Sequence, residues 1–155
     1  MSDDLLYSVT DHIGHIIFNR PDRRNAITFD MYKRIGNICS AAGTEADPDQ
    51  VKVLILSGSG DKAFASGTDI SQFLDFSNGQ DGVDYEAKME AVLCQIEACG
   101  VPTIAALHGY VTGGGAGIAA ACAIRIASED LKVGVPIART LGNCLAIGTL
   151  RRFVS

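Results

Sequence analysis

Two short runs, "VKVLILSG" (51–58) and "TIAALHG" (103–109), constrain the fold most. Each is largely apolar, too short for an ordinary helix, and closed by glycine. A run with apolar side chains on both faces suits a strand covered on both sides, which is the condition of a parallel sheet. The segment "YEAKMEAVLCQIEAC" between them places Ala87, Ala91, Leu93, Cys94 and Ile96 at helical spacing; Gly100 stops it and Pro102 forbids its continuation. Strand, helix, strand in that order predicts right-handed βαβ units, a parallel sheet flanked by helices, and an α/β fold.

The rest of the chain fits that plan. Residues 5–10 and 15–19 are β-rich runs around "DHIG" and predict an antiparallel hairpin with Gly14 in its turn. "RPDRRNAIT" breaks the strand, and Thr28 is the expected N-cap of a helix that turns Met31, Ile35, Ile38 and Ala42 to one side. "TEADPDQ" ends it. "SGDKAFASGTDI" reads as a loop. Gly113, Gly114 and Gly115 open an alanine-rich helix, "AIRIAS" is a third short strand, and "GVPIARTLGNCLAIGTLRRF" reads as loop and then helix.

Composition removes several functions. A chain of 155 residues fits one domain. Its 13 basic and 18 acidic residues give a net charge of −5, which argues against nucleic-acid binding. The clusters "RPDRR" and "RR" (151–152) read as solvated surface that could meet a phosphate. The five cysteines include no C-x-x-C pair and no zinc spacing, so no metal site is expected and buried free thiols in a reducing compartment are. The acidic "MSDDLLYSV" has no secretory apolar region, and the longest apolar run, around 116–124, is far short of a membrane span. A cytoplasmic protein with no membrane partner is the expectation. G-x-S-x-G, the P-loop, H-E-x-x-H and G-x-G-x-x-G are all missing. His12 and His15 flank the hairpin turn and read as surface residues; His108 ends a strand and reads as a core or loop residue or as a polar group near a ligand.

Two loops carry the chemistry. "AFASGTDI" follows the first buried strand and "HGYVTGGGAGI" follows the second. Ligands of open α/β sheets bind beyond the carboxyl ends of strands. Each loop places glycine where the backbone approaches something closely or takes a positive φ. Gly114 and Gly115 also begin a helix, whose unpaired N–H groups and positive dipole end attract developing negative charge. One N–H from each loop would form an oxyanion hole. The other reading of these glycines is that they permit close helix–sheet packing.

Four pieces in order, "FNRPDRRNAIT" (18–28), "VKVLILSGSGDKAFASGTDI" (51–70), "PTIAALHGYVTGGGAGIAAACAIRIAS" (102–128) and "VGVPIARTLG" (133–142), resemble the enoyl-CoA hydratase/isomerase, or crotonase, superfamily. The resemblance implies a crotonase-like fold of repeated ββα units and a substrate that is an acyl-CoA thioester. It implies a thioester oxygen held by the N–H groups of Thr68 and Gly114. Coenzyme A enters as part of the substrate, with no separate cofactor. Arg24, Ala26 and Ile27, with Ala65, Gly67, Asp69, Ile70 and Gly113, would line the acyl-CoA path. Homotrimers or hexamers are the implied assembly.

The chain departs from that pattern at two positions. Hydratases of the family use two glutamates, and the corresponding positions here hold Gly117 and Ile137. Neither residue can carry a proton, so the two-glutamate hydration is not expected. Asp69, His108, Arg139 and Asn143 are the polar residues near the loops that remain as candidates, and Arg139 could bind an acyl carboxylate but cannot act as a base. Three functions stay open: an isomerase, decarboxylase or hydrolase of acyl-CoA; a non-catalytic acyl-CoA binder; and a structural or regulatory protein. Residues 1–155 are expected to form the core domain without the C-terminal helices of the family, as in a chain truncated there.

Overall fold

The computed structural model describes residues 3–136 and 147–154. Strands β1 (Leu5–Thr10) and β2 (Ile13–Phe18) form the expected hairpin, with Leu5 opposite Phe18 and Thr10 opposite Ile13. The turn, however, is Asp11–His12, both with positive φ (50° and 64°), and Gly14 lies inside β2. Gly14 is needed there for a different reason: a Cβ would crowd Leu54 and lie 3.3 Å from the Tyr7 ring.

Helix α1 (Phe29–Ala41) starts where Thr28 accepts a hydrogen bond from the Met31 N–H at 3.3 Å, and it buries Met31, Ile35 and Cys39. Strand β3 (Val53–Gly58) then pairs parallel with β2, and β5 (Thr103–Leu107) pairs parallel with β3. Helix α2 (Gly79–Glu97) joins them. It buries Val92, Leu93 and Ile96, while Ala87, Ala91 and Cys94 face solvent. Packing against α1 and, further along the chain, the helix Gly114–Ala121 selects a narrower apolar stripe than spacing alone implied. Helix α3 (Gly114–Ala121) leads to β7 (Ile124–Ala127), parallel to β5, and the main sheet runs β1-β2-β3-β5-β7. As the edge strand, β7 exposes all four of its residues.

Three strands were not legible as such. After each long parallel strand the chain turns and adds a three-residue strand to a second sheet: β4 (Ala63–Ala65), β6 (Tyr110–Thr112) and β8 (Lys132–Gly134), in the order β4-β6-β8. This long-strand, short-strand, helix repeat is the expected ββα unit. Phe18 and Phe64, stacked edge-on at 5.1 Å, fill the space between the sheets. Helix α4 (Ile147–Val154) docks on α2 through Arg152, which donates to both carboxylate oxygens of Glu90 (2.9 and 3.0 Å) and both of Glu97 (2.8 and 2.9 Å). Cys39 and Cys122 are buried free thiols as expected, but Cys94 is exposed and Cys99 half-buried. Among the described residues no helix is long and apolar enough to cross a membrane, and no His, Cys, Asp or Glu cluster fits a metal ion.

Candidate active site

The two loops read from sequence meet at one end of the second sheet. Segment 24–27 lies against segment 66–69: Ser66 N–H donates to Arg24 O (3.0 Å), Ile27 N–H to Gly67 O (2.8 Å) and Asp69 N–H to Ile27 O (2.9 Å). In an extended chain successive residues turn their N–H groups to opposite sides. Asp69 spends its N–H on Ile27, and Thr68, the bridge partner of Ile27, turns its own N–H away from that strip. Thr112 closes the arrangement by donating its hydroxyl to Ser66 O at 2.9 Å. Gly67 has φ +102°, and a Cβ on it would lie 3.6 Å from both the Gly113 Cα and the Gly114 N. Thr68 and Gly114 are thus neighbours across the junction.

Each glycine of the triplet has its own task. Gly113 takes φ +52°, a left-handed conformation that sends the chain from β6 into α3. Gly114 is the first residue of α3, where the N–H has no intrahelical acceptor. A Cβ on Gly114 would overlap the Tyr32 hydroxyl and lie 3.1 Å from Thr68 Oγ1. Gly115 brings the helix onto β4, since its Cβ would lie 2.8 Å from the Ala65 Cβ. The close-packing reading of the glycines therefore holds at Gly115.

Asn25 was missed from sequence and anchors the first loop. It is fully buried with φ +55°, a conformation asparagine tolerates better than most residues. Its carboxamide accepts from Arg20 N–H (2.9 Å) and donates to Ser59 O (3.0 Å) and Ala63 O (2.7 Å). Asp69 also serves the loop. It accepts from the Ser71 hydroxyl (2.7 Å) and N–H (3.1 Å) and pairs with Arg20 at 2.9 Å. The Ser71 hydroxyl first, and Arg20 with it, hold its carboxyl below the usual range. Ala26 and Ala65 complete the two strips, and Ile70 stands exposed beyond them. Arg24 and Lys132 both stack on the exposed Tyr110 ring, at 5.4 and 5.0 Å.

A second missed feature is a chain of three hydroxyls. Thr68 Oγ1 lies 2.9 Å from the Tyr32 hydroxyl and 2.7 Å from the Tyr85 hydroxyl. Burial pushes the Tyr32 phenol far above its ordinary value and raises Tyr85 as well, so both stay protonated. Phe29, Phe73 and Phe76 pack on Tyr85, with Phe73 edge-on at 4.9 Å. No periodicity links residues 32, 68 and 85, so only the folded chain brings them together.

The two positions where the resemblance leads one to expect carboxylates are not alike. Gly117 is buried in the second turn of α3, with its Cβ direction aimed at Leu93 of α2, 3.6 Å away. Ile137, Arg139 and Asn143 lie outside the described residues. His108 sits at the far end of β6 from Gly113, about 10 Å of strand away. Its Nε2 is buried without a hydrogen-bond partner among the described residues. A cavity of about 520 Å³ among Cys99, Thr103, Cys122 and Arg125 lies at the amino ends of β5 and β7, away from both loops.

The family model for enoyl-CoA hydratase/isomerase matches residues 13–142. A crotonyl-CoA hydratase from Syntrophomonas wolfei is 32% identical over 134 residues, 86% of this chain and 50% of the relative. A peroxisomal Delta(3,5)-Delta(2,4)-dienoyl-CoA isomerase from Arabidopsis thaliana is 35% identical over 154 residues, 92% of this chain and 54% of the relative. The crystal structure of an enoyl-CoA hydratase/carnithine racemase from Magnetospirillum magneticum superposes with TM-score 0.85 at 32% identity, covering 99% of this chain and 56% of that one. An enoyl-CoA hydratase/isomerase family protein from Hyphomonas neptunium gives TM-score 0.89 at 32% identity, covering 99% and 58%. The chain spans about half the length of the curated relatives it matches. Sequence and fold agree that this chain belongs to the enoyl-CoA hydratase/isomerase family.

Proposed function

We propose that the chain binds an acyl-CoA thioester and holds the thioester oxygen between the N–H groups of Thr68 and Gly114, stabilising an enolate. One observation supports this reading: Gly67–Thr68 and the start of α3 come so close that a Cβ on Gly67 would stand 3.6 Å from the Gly114 N, and Thr68 spends its N–H on no bond to the 24–27 strip. A thioester enolate concentrates charge on one oxygen, and a preorganised donor at that oxygen is worth about 2.7–4 kcal/mol. Arg24 and Lys132, gathered on Tyr110 beside the 24–27 strip, suit the phosphates of coenzyme A. No further cofactor is needed, because the thioester brings its coenzyme with it.

The relatives' names include a hydratase and an isomerase. Gly117 supplies no carboxylate, so we place this chain with reactions of the enolate other than two-glutamate hydration. The exposed Ile124, Ile126 and Val133 on β7 and β8 suit a homotrimer or hexamer. Calorimetry with acyl-CoA, run beside turnover of crotonyl-CoA, tests the reading. Thioester binding without hydration at ordinary hydratase rates is expected. Hydration at those rates would refute the role given to the missing glutamates; a folded protein that ignores acyl-CoA would refute the ligand.

A further inference from the structure

We propose that the Thr68 hydroxyl is a third hydrogen-bond donor to the thioester oxygen, beside the N–H groups of Thr68 and Gly114, and that Tyr32 and Tyr85 aim it. This rests on the acyl-CoA reading above. Three hydroxyls carry three protons, and the two bonds among Tyr32, Thr68 and Tyr85 use only two. Among the described residues the three hydroxyls make no other hydrogen bond, so one proton is left for a ligand.

Burial assigns the first of the two donors. Tyr32 is buried and has Thr68 as its hydrogen-bond partner, so it keeps its proton and donates it to Thr68. Tyr85 is largely enclosed by Phe29, Phe73 and Phe76 and reaches the same oxygen at 2.7 Å. A threonine hydroxyl has two lone pairs and one proton. In the proposed arrangement Tyr85 donates as Tyr32 does, so that both lone pairs are taken by tyrosine O–H groups and the remaining tetrahedral direction belongs to the threonine's own proton. The side chain hangs from the residue whose N–H is one oxyanion donor. It stands over the glycine that supplies the other, 3.1 Å from where a Gly114 Cβ would be. The bare Cα of Gly114 leaves room for this hydroxyl assembly, which gives that glycine a reason beyond backbone freedom.

The test is the carbonyl stretch of bound crotonyl-CoA, labelled with ¹³C at the thioester carbon, read by infrared difference spectroscopy beside its affinity. Thr68→Val keeps the backbone donor and the shape but removes the hydroxyl. Its bound carbonyl band should move back toward the value in water and its affinity should fall about 3- to 10-fold. Thr68→Ser should restore both. Tyr85→Phe, which removes one of the two aiming donors, should shift the band partway, and it decides the matter if Thr68→Val does not fold. An unchanged band in the variants would overturn the third donor while leaving the acyl-CoA reading intact. Tighter binding by Thr68→Val would overturn it too, by showing the hydroxyl to be a plug in the hole. Failure of the wild-type chain to bind crotonyl-CoA would refute the acyl-CoA reading and take this inference with it.

Discussion

The Ser66–Asp69 loop and the second turn of α3 flank the same site and are built in opposite ways. The loop is braced at every residue, by Arg24, Ile27 and Thr112 on its backbone and by Tyr32, Tyr85, Arg20 and Ser71 on its side chains. The turn Ala116–Ala119 carries no polar side chain, and among the described residues Gly117 faces only Leu93. What the first region offers a ligand is mostly backbone, so packing and main-chain bonds protect it. What the second would offer is a side chain, which can vanish without loss of fold. A backbone arrangement of this kind can therefore stand whatever side chains lie beside it.

The comparison is broken most severely by filling the contact that seats the helix under the loop. Gly115→Val puts atoms where the Ala65 backbone and Cβ already stand. Loss of more than about 3 kcal/mol in urea unfolding is expected. Asn25→Ala comes next. It strips three hydrogen bonds from a buried site and leaves alanine at φ +55°. A loss of about 2–3 kcal/mol is expected, with acyl-CoA binding weakened in step because segment 24–27 positions Thr68.

Asp69→Asn should have a smaller effect, visible only on the acid side. Its carboxyl is held below the ordinary value by the Ser71 hydroxyl and Arg20. The unfolded chain therefore takes up this proton first as pH falls. The stabilisation is fully present above the unfolded value, about 3.9, and disappears as pH drops through the lower folded value. Wild-type stability should fall through that window more steeply than that of Asp69→Asn in unfolding scans at stepped pH. Parallel acid limbs would mean that the Ser71 and Arg20 contacts do not hold the loop.

Much of this was readable in the residues before folding. The runs 53–58 and 103–107 declare themselves because burial on both faces demands apolar side chains throughout. Thr28 declares itself because a helix start needs a side-chain acceptor. β4, β6 and β8 do not, since three residues are too few for a period and their pairing is set by the longer strands beside them. Asp11 and His12 hide a turn because neither is the glycine that left-handed φ ordinarily calls for. In the site, Thr68 and Gly114 follow from family resemblance, and the backbone geometry puts them side by side. Tyr32, Tyr85 and Asn25 were out of reach, because their roles depend on partners 17 to 38 residues away.

The smallest expected effect sharpens the comparison most, because it has the opposite sign. Gly117 lies two residues beyond Gly115 in the same helix, and both are buried. Its Cβ would find Leu93 methyl groups at 3.6 and 3.9 Å, ordinary contact distances, with no backbone of the described residues in the way. Glycine costs roughly 1 kcal/mol against alanine inside a helix. No described neighbour offsets that here, so Gly117→Ala should stabilise the chain by about 0.5–1 kcal/mol in urea unfolding and leave acyl-CoA affinity unchanged. A destabilised Gly117→Ala would mean that the turn, like the loop, is tightly packed. A stabilised one means that this position is empty space in the fold, open to a side chain that the sequence does not supply.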